Sequence, residues 1–132
     1  KAFDSLQHHH IFQVLRQKGV DCHVIDIITE MCKNSAARLE VDGTHLEKVK
    51  ILTNLKQGDS MSPFLFNLSI DPLLCWLEEG KEGFRYKNSS VFSLAFVDDL
   101  VLLSDSWEGM QRSIQVVEEF CHLTGLKVQA AK

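Results

Sequence analysis

The chain has 132 residues, 45% of them hydrophobic and 24% charged, which is the size and composition of one globular domain rather than of a disordered segment. No apolar run approaches the roughly 18 residues that a membrane-spanning helix requires, so no membrane partner is predicted. The formal net charge of −4 is opposite in sign to the basic surfaces with which nucleic-acid enzymes usually hold phosphate. Because the chain begins at Lys1 inside a patterned segment, we expect it to be a piece of a larger protein.

Two helices are predicted first. Over residues 6–18, Ile11, Phe12 and Leu15 are spaced to form one apolar face, and Gly19 is typical of a position just beyond a helix C-terminus. A second helix is predicted from apolar residues that recur at helical spacing, namely Val24, Ile25, Ile28, Met31 and Cys32.

A hairpin, a loop and a third helix follow. Alternating residues over 38–51 flank Asp42-Gly43, which is a strong signal for a β-hairpin. Residues 55–60 form a polar loop. Ser62 and Pro63 are then typical of an N-cap and of the first helical position. The apolar residues of this helix are Leu65, Phe66, Leu68, Leu73, Leu74 and Leu77, and Pro72 is expected to kink it because proline removes a backbone donor.

The last third of the chain predicts a second hairpin and a fourth helix. Two apolar runs, Val91–Val97 and Leu100–Leu103, are separated only by two aspartates. Asp105 and Glu108 match a capping box for a helix whose apolar residues are Met110, Ile114, Val117 and Cys121. Gly125 ends this helix, and residues 126–128 are predicted to form a short strand. The order of elements favours an α+β fold with an antiparallel sheet.

The two aspartates between the apolar runs, Asp98 and Asp99, are the sharpest chemical feature. A hairpin would place both carboxylates at its tip, where their hard oxygen atoms suit a divalent cation. Aspartate is also common in turns for purely structural reasons. From this segment alone, the metal site and the simple turn remain equally open.

Other polar and aromatic residues receive structural interpretations. None of the cysteines forms a C-x-x-C pair, so free buried thiols are favoured over disulfides or zinc ligands at Cys22, Cys32, Cys75 and Cys121. Consecutive residues of a helix point in different directions, so His8, His9 and His10 are not expected to converge on one ion. Trp76 and Trp107 are interpreted as packing residues.

Four motifs carry a resemblance to a known family. Phe96-Val97-Asp98-Asp99 resembles the Tyr/Phe-x-Asp-Asp box of reverse transcriptases, and residues 57–68 resemble the Gln-Gly-x-x-x-Ser-Pro box that opens a long helix. Residues 1–5 resemble the end of the first palm box, and residues 125–132 resemble the fourth. In this order, and across the whole chain, the boxes resemble the reverse transcriptase of a non-LTR (LINE-type) retrotransposon. The sequence around these boxes is most similar to that of the site-specific type-1 elements that insert into ribosomal RNA genes.

The resemblance implies a fold and an activity. Residues 1–132 would be the palm core of a polymerase with part of the fingers, its catalytic hairpin packed on helices, while the thumb, N-terminal fingers and endonuclease lie outside it. The implied activity is RNA-directed DNA polymerisation by two-metal chemistry with Mg²⁺. The implied partners are an RNA template, a DNA primer or target DNA and deoxynucleoside triphosphates. Priming at nicked chromosomal DNA implies intracellular, nuclear action.

The resemblance also assigns roles to residues. Asp98 and Asp99 match the metal-binding carboxylates, of which the second usually binds less closely. Nucleotide-binding matches are Phe3, the aromatic residue beneath the incoming sugar, and Gln57 with Gly58 in the loop against the nucleotide. Lys132 matches a lysine near the triphosphate, a candidate proton donor to pyrophosphate. The family's first metal-binding aspartate would lie upstream of Lys1, since Asp4 matches a later, structural position, so the fragment alone is not expected to polymerise.

The sequence departs from the family pattern at a few positions of these boxes, namely Asn54, Ser60, Val97 and Gln129. Two alternatives therefore stay open. One is a decayed, inactive copy that keeps the fold as a non-catalytic module, and the other is a maturase-like reverse transcriptase that assists intron splicing.

Overall fold

A computed structural model describes residues 5–33, 36–37, 40–41, 44–45, 49–50 and 61–128. The helices are α1 (His8–Gln17), α2 (Cys22–Lys33), α3 (Ser62–Glu79) and α4 (Trp107–Thr124). The strands are β1 (Ala36–Ala37), β2 (Glu40–Val41), β3 (Thr44–His45), β4 (Val49–Lys50), β5 (Phe84–Tyr86), β6 (Ser89–Val91), β7 (Ser93–Phe96) and β8 (Asp99–Leu102). They pair antiparallel as β1 with β4, β2 with β3, β5 with β6, and β7 with β8. This mixture of helices and small antiparallel sheets agrees with the predicted α+β class.

Helix α3 connects two hydrophobic cores. Its N-terminal half contributes Leu65 and Phe66 to the first core, which buries one face each of α1 and α2. Its C-terminal half contributes Leu73 and Leu77 to the second core, with Phe120 of α4. Because α3 is apolar around much of its circumference, it can bury different faces in succession. The second core lies beneath β7 and β8, whose Leu100 and Leu102 pack against it together with Phe92 and Val116.

A buried polar contact lies near the passage between the two cores. Helix α3 continues through Pro72, which lacks the backbone N–H of other residues. Three residues before Pro72, the carbonyl oxygen of Ser69 accepts a hydrogen bond from His10 Nε2 of α1 at 2.8 Å. The Ser69 hydroxyl in turn donates to the Leu65 carbonyl at 2.7 Å, so the buried polar atoms are paired.

The glycine ends of two helices are confirmed, whereas two N-cap predictions were wrong. Gly19 and Gly125 adopt left-handed φ values of 75° and 78° beyond α1 and α4, as the αL cap requires. Ser62 is the first residue of α3 rather than its cap, which is Met61. At α4 the cap is Ser106 instead of Asp105, with the Ser106 hydroxyl accepting from the Gly109 N–H at 3.0 Å, so no capping box forms. Each cap lies one residue away from the predicted position.

The buried face of α4 also differs from the prediction. The buried positions are Gly109, Ser113, Phe120 and Thr124, whereas Val117 is partly buried against the second core, as predicted, and Ile114 is exposed. Close approach of the helix to its neighbours selects small side chains, which an apolar count overlooks.

Three further expectations are corrected. Residues 126–128 form no strand, although Leu126 borders both cores. Trp107 is exposed rather than packed, whereas Trp76 does pack edge-on against Phe120, with ring centroids 5.8 Å apart. All four cysteines are free, as predicted, but Cys22 and Cys75 lie on exposed helix faces instead of in the cores. Among the described residues, no helix combines the length and the apolar character needed to cross a membrane.

Candidate active site

The hairpin of β7 and β8 carries the two candidate carboxylates. Its register pairs Ser93 with Leu102 at the base and Phe96 with Asp99 at the tip. Two residues, Val97 and Asp98, therefore form the turn, and Asp99 is the first residue of β8. The turn lies one residue earlier than the two predicted apolar runs indicate, because the strand pairing extends to Asp99, which lies directly beside the turn.

The turn is closed by an unusual backbone conformation. Val97 has a φ of 53°, in the left-handed region that a β-branched residue rarely adopts. Of the two turn residues only Val97 has a positive φ, which is the pattern of a type II′ turn and matches the right-handed twist of paired strands. Such strain persists only where surrounding structure fixes it, and here four consecutive strand pairs do so.

The two faces of the hairpin have different environments. Leu100 and Leu102 point into the second core. Because cross-strand partners share a face, Asp99 lies on the opposite, outer face with Phe96. Leu94 and Val101 lie on that outer face as well, and all three apolar side chains there are exposed. The core therefore holds one face of the hairpin in place and leaves the acidic tip accessible.

The donors at the tip fit a divalent cation incompletely. Asp98 and Asp99 are both exposed, and carboxylate oxygens are the ligands that Mg²⁺ prefers. Asp98 makes no hydrogen bond or ion pair with any other residue in the part of the chain that is described. In the same part of the chain, no group of three His, Cys, Asp or Glu side chains is arranged to hold a metal ion. The tip thus carries two carboxylates, and holding a metal ion here would require a further ligand from another segment.

The remaining predicted site residues lie outside the described residues. These are Phe3, Gln57, Gly58 and Lys132, together with the structural Asp4. The prediction that the first box shares one cleft with Asp98 therefore stays a prediction.

Sequence reasoning missed two residues that shape this site. Val97 adopts the strained turn conformation, yet no sequence signal marks a valine for a positive φ, whereas aspartate is favoured in turns. Phe92 extends the pairing beyond β7, because its carbonyl oxygen accepts from the Leu103 N–H at 3.0 Å. The predicted apolar run Val91–Val97 includes Phe92, but its pattern does not show that the pairing continues past β7.

Comparison with known proteins assigns the family. The model of the family described as reverse transcriptase (RNA-dependent DNA polymerase) matches residues 1–132, the whole chain. The chain belongs to this reverse transcriptase family. The family match covers all four predicted boxes, including the hairpin that carries Asp98 and Asp99.

Three relatives of this chain are polyproteins of R2 retrotransposable elements. The chain is 36% identical over 132 residues to the Pol polyprotein of a type-1 retrotransposable element R2 of Nasonia vitripennis, covering 100% of this chain and 13% of that protein. It is 36% identical to the polyprotein of the type-2 element R2DM of Drosophila melanogaster, covering 12% of it. A type-1 R2 polyprotein of Popillia japonica is 35% identical over 134 residues, with 19% covered. The predicted resemblance to non-LTR retrotransposon reverse transcriptases is confirmed. The chain spans less than a fifth of the length of these relatives.

Proposed function

We propose that this chain is the palm core, with part of the fingers, of an RNA-directed DNA polymerase from a non-LTR retrotransposon. The observation that carries the proposal is the position of Asp98, an exposed carboxylate at the tip of a hairpin whose other face is anchored in a hydrophobic core. The family match over residues 1–132 supports the polymerase chemistry for this tip rather than a simple turn.

The reaction joins a DNA primer to an incoming nucleotide. The primer 3′-hydroxyl oxygen forms a bond to the α-phosphorus of a deoxynucleoside triphosphate, the bond from that phosphorus to the bridging oxygen breaks, and pyrophosphate leaves. Two bound Mg²⁺ ions would lower the pKa of the attacking hydroxyl and neutralise charge on the leaving group. Asp98 and Asp99 would hold them, together with an aspartate from the first box upstream of this chain.

The fold of the hairpin suits this role. Metal-binding groups need to be held by rigid elements, and the packing of Leu100 and Leu102 into the second core supplies such support for the tip. Because Asp98 lies in the turn and Asp99 in the strand, their side chains start from different directions. The resemblance to the family motif makes Asp98 the principal ligand and Asp99 the looser one.

The other site residues keep the roles that the family motifs suggest. Phe3 would pack beneath the sugar of the incoming nucleotide, while Gln57 and Gly58 would line the nucleotide. Lys132 would donate a proton to the departing pyrophosphate. An RNA template, a DNA primer and deoxynucleoside triphosphates would be the substrates. We place the activity in the nucleus, and the thumb, N-terminal fingers and endonuclease in other regions of the parent polyprotein.

Primer extension tests the proposal. A parent polypeptide that includes the first box should extend a DNA primer on an RNA template with Mg²⁺. Asp98→Ala should abolish extension, whereas Asp26→Ala, which removes an exposed carboxylate from α2, should leave it unchanged. Failure of a folded, RNA-binding wild-type protein to extend would favour the inactive remnant and contradict the enzyme assignment. Equal extension by Asp98→Ala would contradict the placement of the metal site.

A further inference from the structure

The hairpin of β5 and β6 exposes aromatic and basic side chains that the polymerase reaction does not use. Phe84 is 46% exposed and Tyr86 62% exposed. The Arg85 side chain is 82% exposed, and Lys87 at the turn is exposed as well. Single exposed aromatic residues are common on protein surfaces, but here two lie on one short hairpin and alternate with two cations, on a chain whose net charge is −4.

The aromatic residues share one face of the hairpin. The register pairs Phe84 with Val91 and Tyr86 with Ser89, so these four side chains lie on one side, and Arg85 lies on the other. Residues two apart along a strand are separated by about 6.6 Å. The Lys87 ammonium lies 5.3 Å from the centre of the Tyr86 ring. With this contact in place, Tyr86 remains 62% exposed.

Two contacts hold the hairpin in a fixed position. The Asp105 carboxylate, just before α4, accepts from the backbone N–H of Arg85 at 3.1 Å and 3.2 Å. At the base, Gly83 lies so close to its neighbours that a Cβ would be 2.7 Å from the Phe92 ring and 2.9 Å from the Val91 carbonyl oxygen. The aromatic face is therefore presented on a packed base, which lowers the ordering cost of binding.

Single-stranded nucleic acid has the chemistry that this face fits. Its unpaired bases stack on aromatic rings, and its phosphates attract adjacent cations. Bases in a duplex are already stacked on each other, and a purely apolar partner would gain nothing from Lys87. We propose that the β5–β6 hairpin binds single-stranded RNA, with a base stacked on Tyr86, a second near Phe84, and a phosphate at Lys87. This inference rests on the proposed function, which supplies an RNA template as the ligand.

RNA binding can be measured without catalysis. The probe is a fluorescein-labelled 12-nucleotide oligo(U) RNA, titrated with the parent polypeptide and followed by fluorescence anisotropy. Tyr86→Leu keeps an apolar side chain but removes the ring, and it should weaken binding by about 5- to 150-fold. Tyr86→Trp should preserve binding. As a matched control, Trp107→Leu removes another exposed aromatic ring and should not change the affinity.

Charge provides a second, independent measurement. Lys87→Gln should lower the slope of log affinity against log salt by about 0.7, the value for one phosphate contact to a single strand. Arg16→Gln, an exposed cation of α1, should leave the slope unchanged. The Lys87→Gln variant keeps the proposal testable if Tyr86→Leu does not fold, which circular dichroism would reveal.

The outcomes separate this inference from the polymerase assignment. Asp98→Ala should lose primer extension and keep wild-type RNA affinity. Tyr86→Leu should bind RNA weakly and recover extension at saturating RNA. Unchanged affinity in Tyr86→Leu with an unchanged salt slope in Lys87→Gln would overturn the inference.

Discussion

Phe120 offers the sharpest test of the second core. Its ring is 2% exposed and makes edge-on contacts with Trp76 and with His10, at centroid distances of 5.8 Å and 5.5 Å. A buried aromatic ring removes about 150–250 Å² from water, worth an upper limit of roughly 4–6 kcal/mol at about 25 cal/mol per Å². Measured losses for such truncations are about 3–5 kcal/mol. We therefore expect Phe120→Ala to lower the free energy of unfolding by about 3–5 kcal/mol.

Urea unfolding followed by circular dichroism measures this loss. Small domains have about 5–15 kcal/mol of total stability, so Phe120→Ala should remove a large fraction of it. Phe120→Leu, which removes mainly the two edge contacts, should lose about 1–3 kcal/mol and stay folded. Leu123→Ala is the matched control, because Leu123 lies on the same helix and is 60% exposed. A loss below about 1 kcal/mol in Phe120→Ala would refute the second core as described.

Three further outcomes follow from single contacts. Gly83→Ala should lower the free energy of unfolding by about 1–3 kcal/mol, because the added Cβ would overpack against backbone and ring atoms. Gly80→Ala is the control and should not lower it, since its added Cβ would lie 3.5 Å or more from its neighbours. Thermal melting compares the two variants. Arg112 donates to Glu82 at 2.7 Å and lowers the pKa of that carboxyl below its ordinary 4.5, so this pair stabilises the fold at neutral pH. Wild type and Glu82→Gln should therefore differ in stability at pH 7 and converge as the pH falls from 4.5 through the lowered pKa. Burial raises the pKa of the Cys121 thiol, so Cys121 should react with a thiol reagent more slowly than the two exposed cysteines.

The regular elements were largely predictable from local patterns. Helical spacing of apolar residues indicated the four helices of the described residues, and the glycines at 19 and 125 marked two helix ends because only a residue tolerant of positive φ suits that position. The pairing of β2 with β3 across Asp42-Gly43 agrees with the hairpin signal there. Local chemistry is sufficient for such features, since they depend on residues close in sequence.

The exact position of the turn between β7 and β8 and the packed face of α4 were not predictable in the same way. At the turn, Asp99 pairs with Phe96 instead of occupying the turn, and Val97 adopts a positive φ that its residue type does not favour. On α4, Gly109 and Ser113 are buried because neighbouring segments approach closely, a tertiary effect that apolar periodicity does not record. The family motifs, rather than periodicity, gave the candidate site its chemical meaning.

The proposed polymerase active site depends most on Asp98 as the principal metal ligand. The direct measurement is the rate of first-nucleotide addition by the parent polypeptide on an RNA template, as a function of Mg²⁺ concentration, for wild type, Asp98→Asn and Asp99→Asn. Asn keeps the size of the side chain and removes its charge. We predict that Asp98→Asn loses at least about 100-fold in rate at every Mg²⁺ concentration, since charge stabilisation of several kcal/mol is lost, while Asp99→Asn retains more activity. A wild-type rate in Asp98→Asn at low Mg²⁺ would contradict the account.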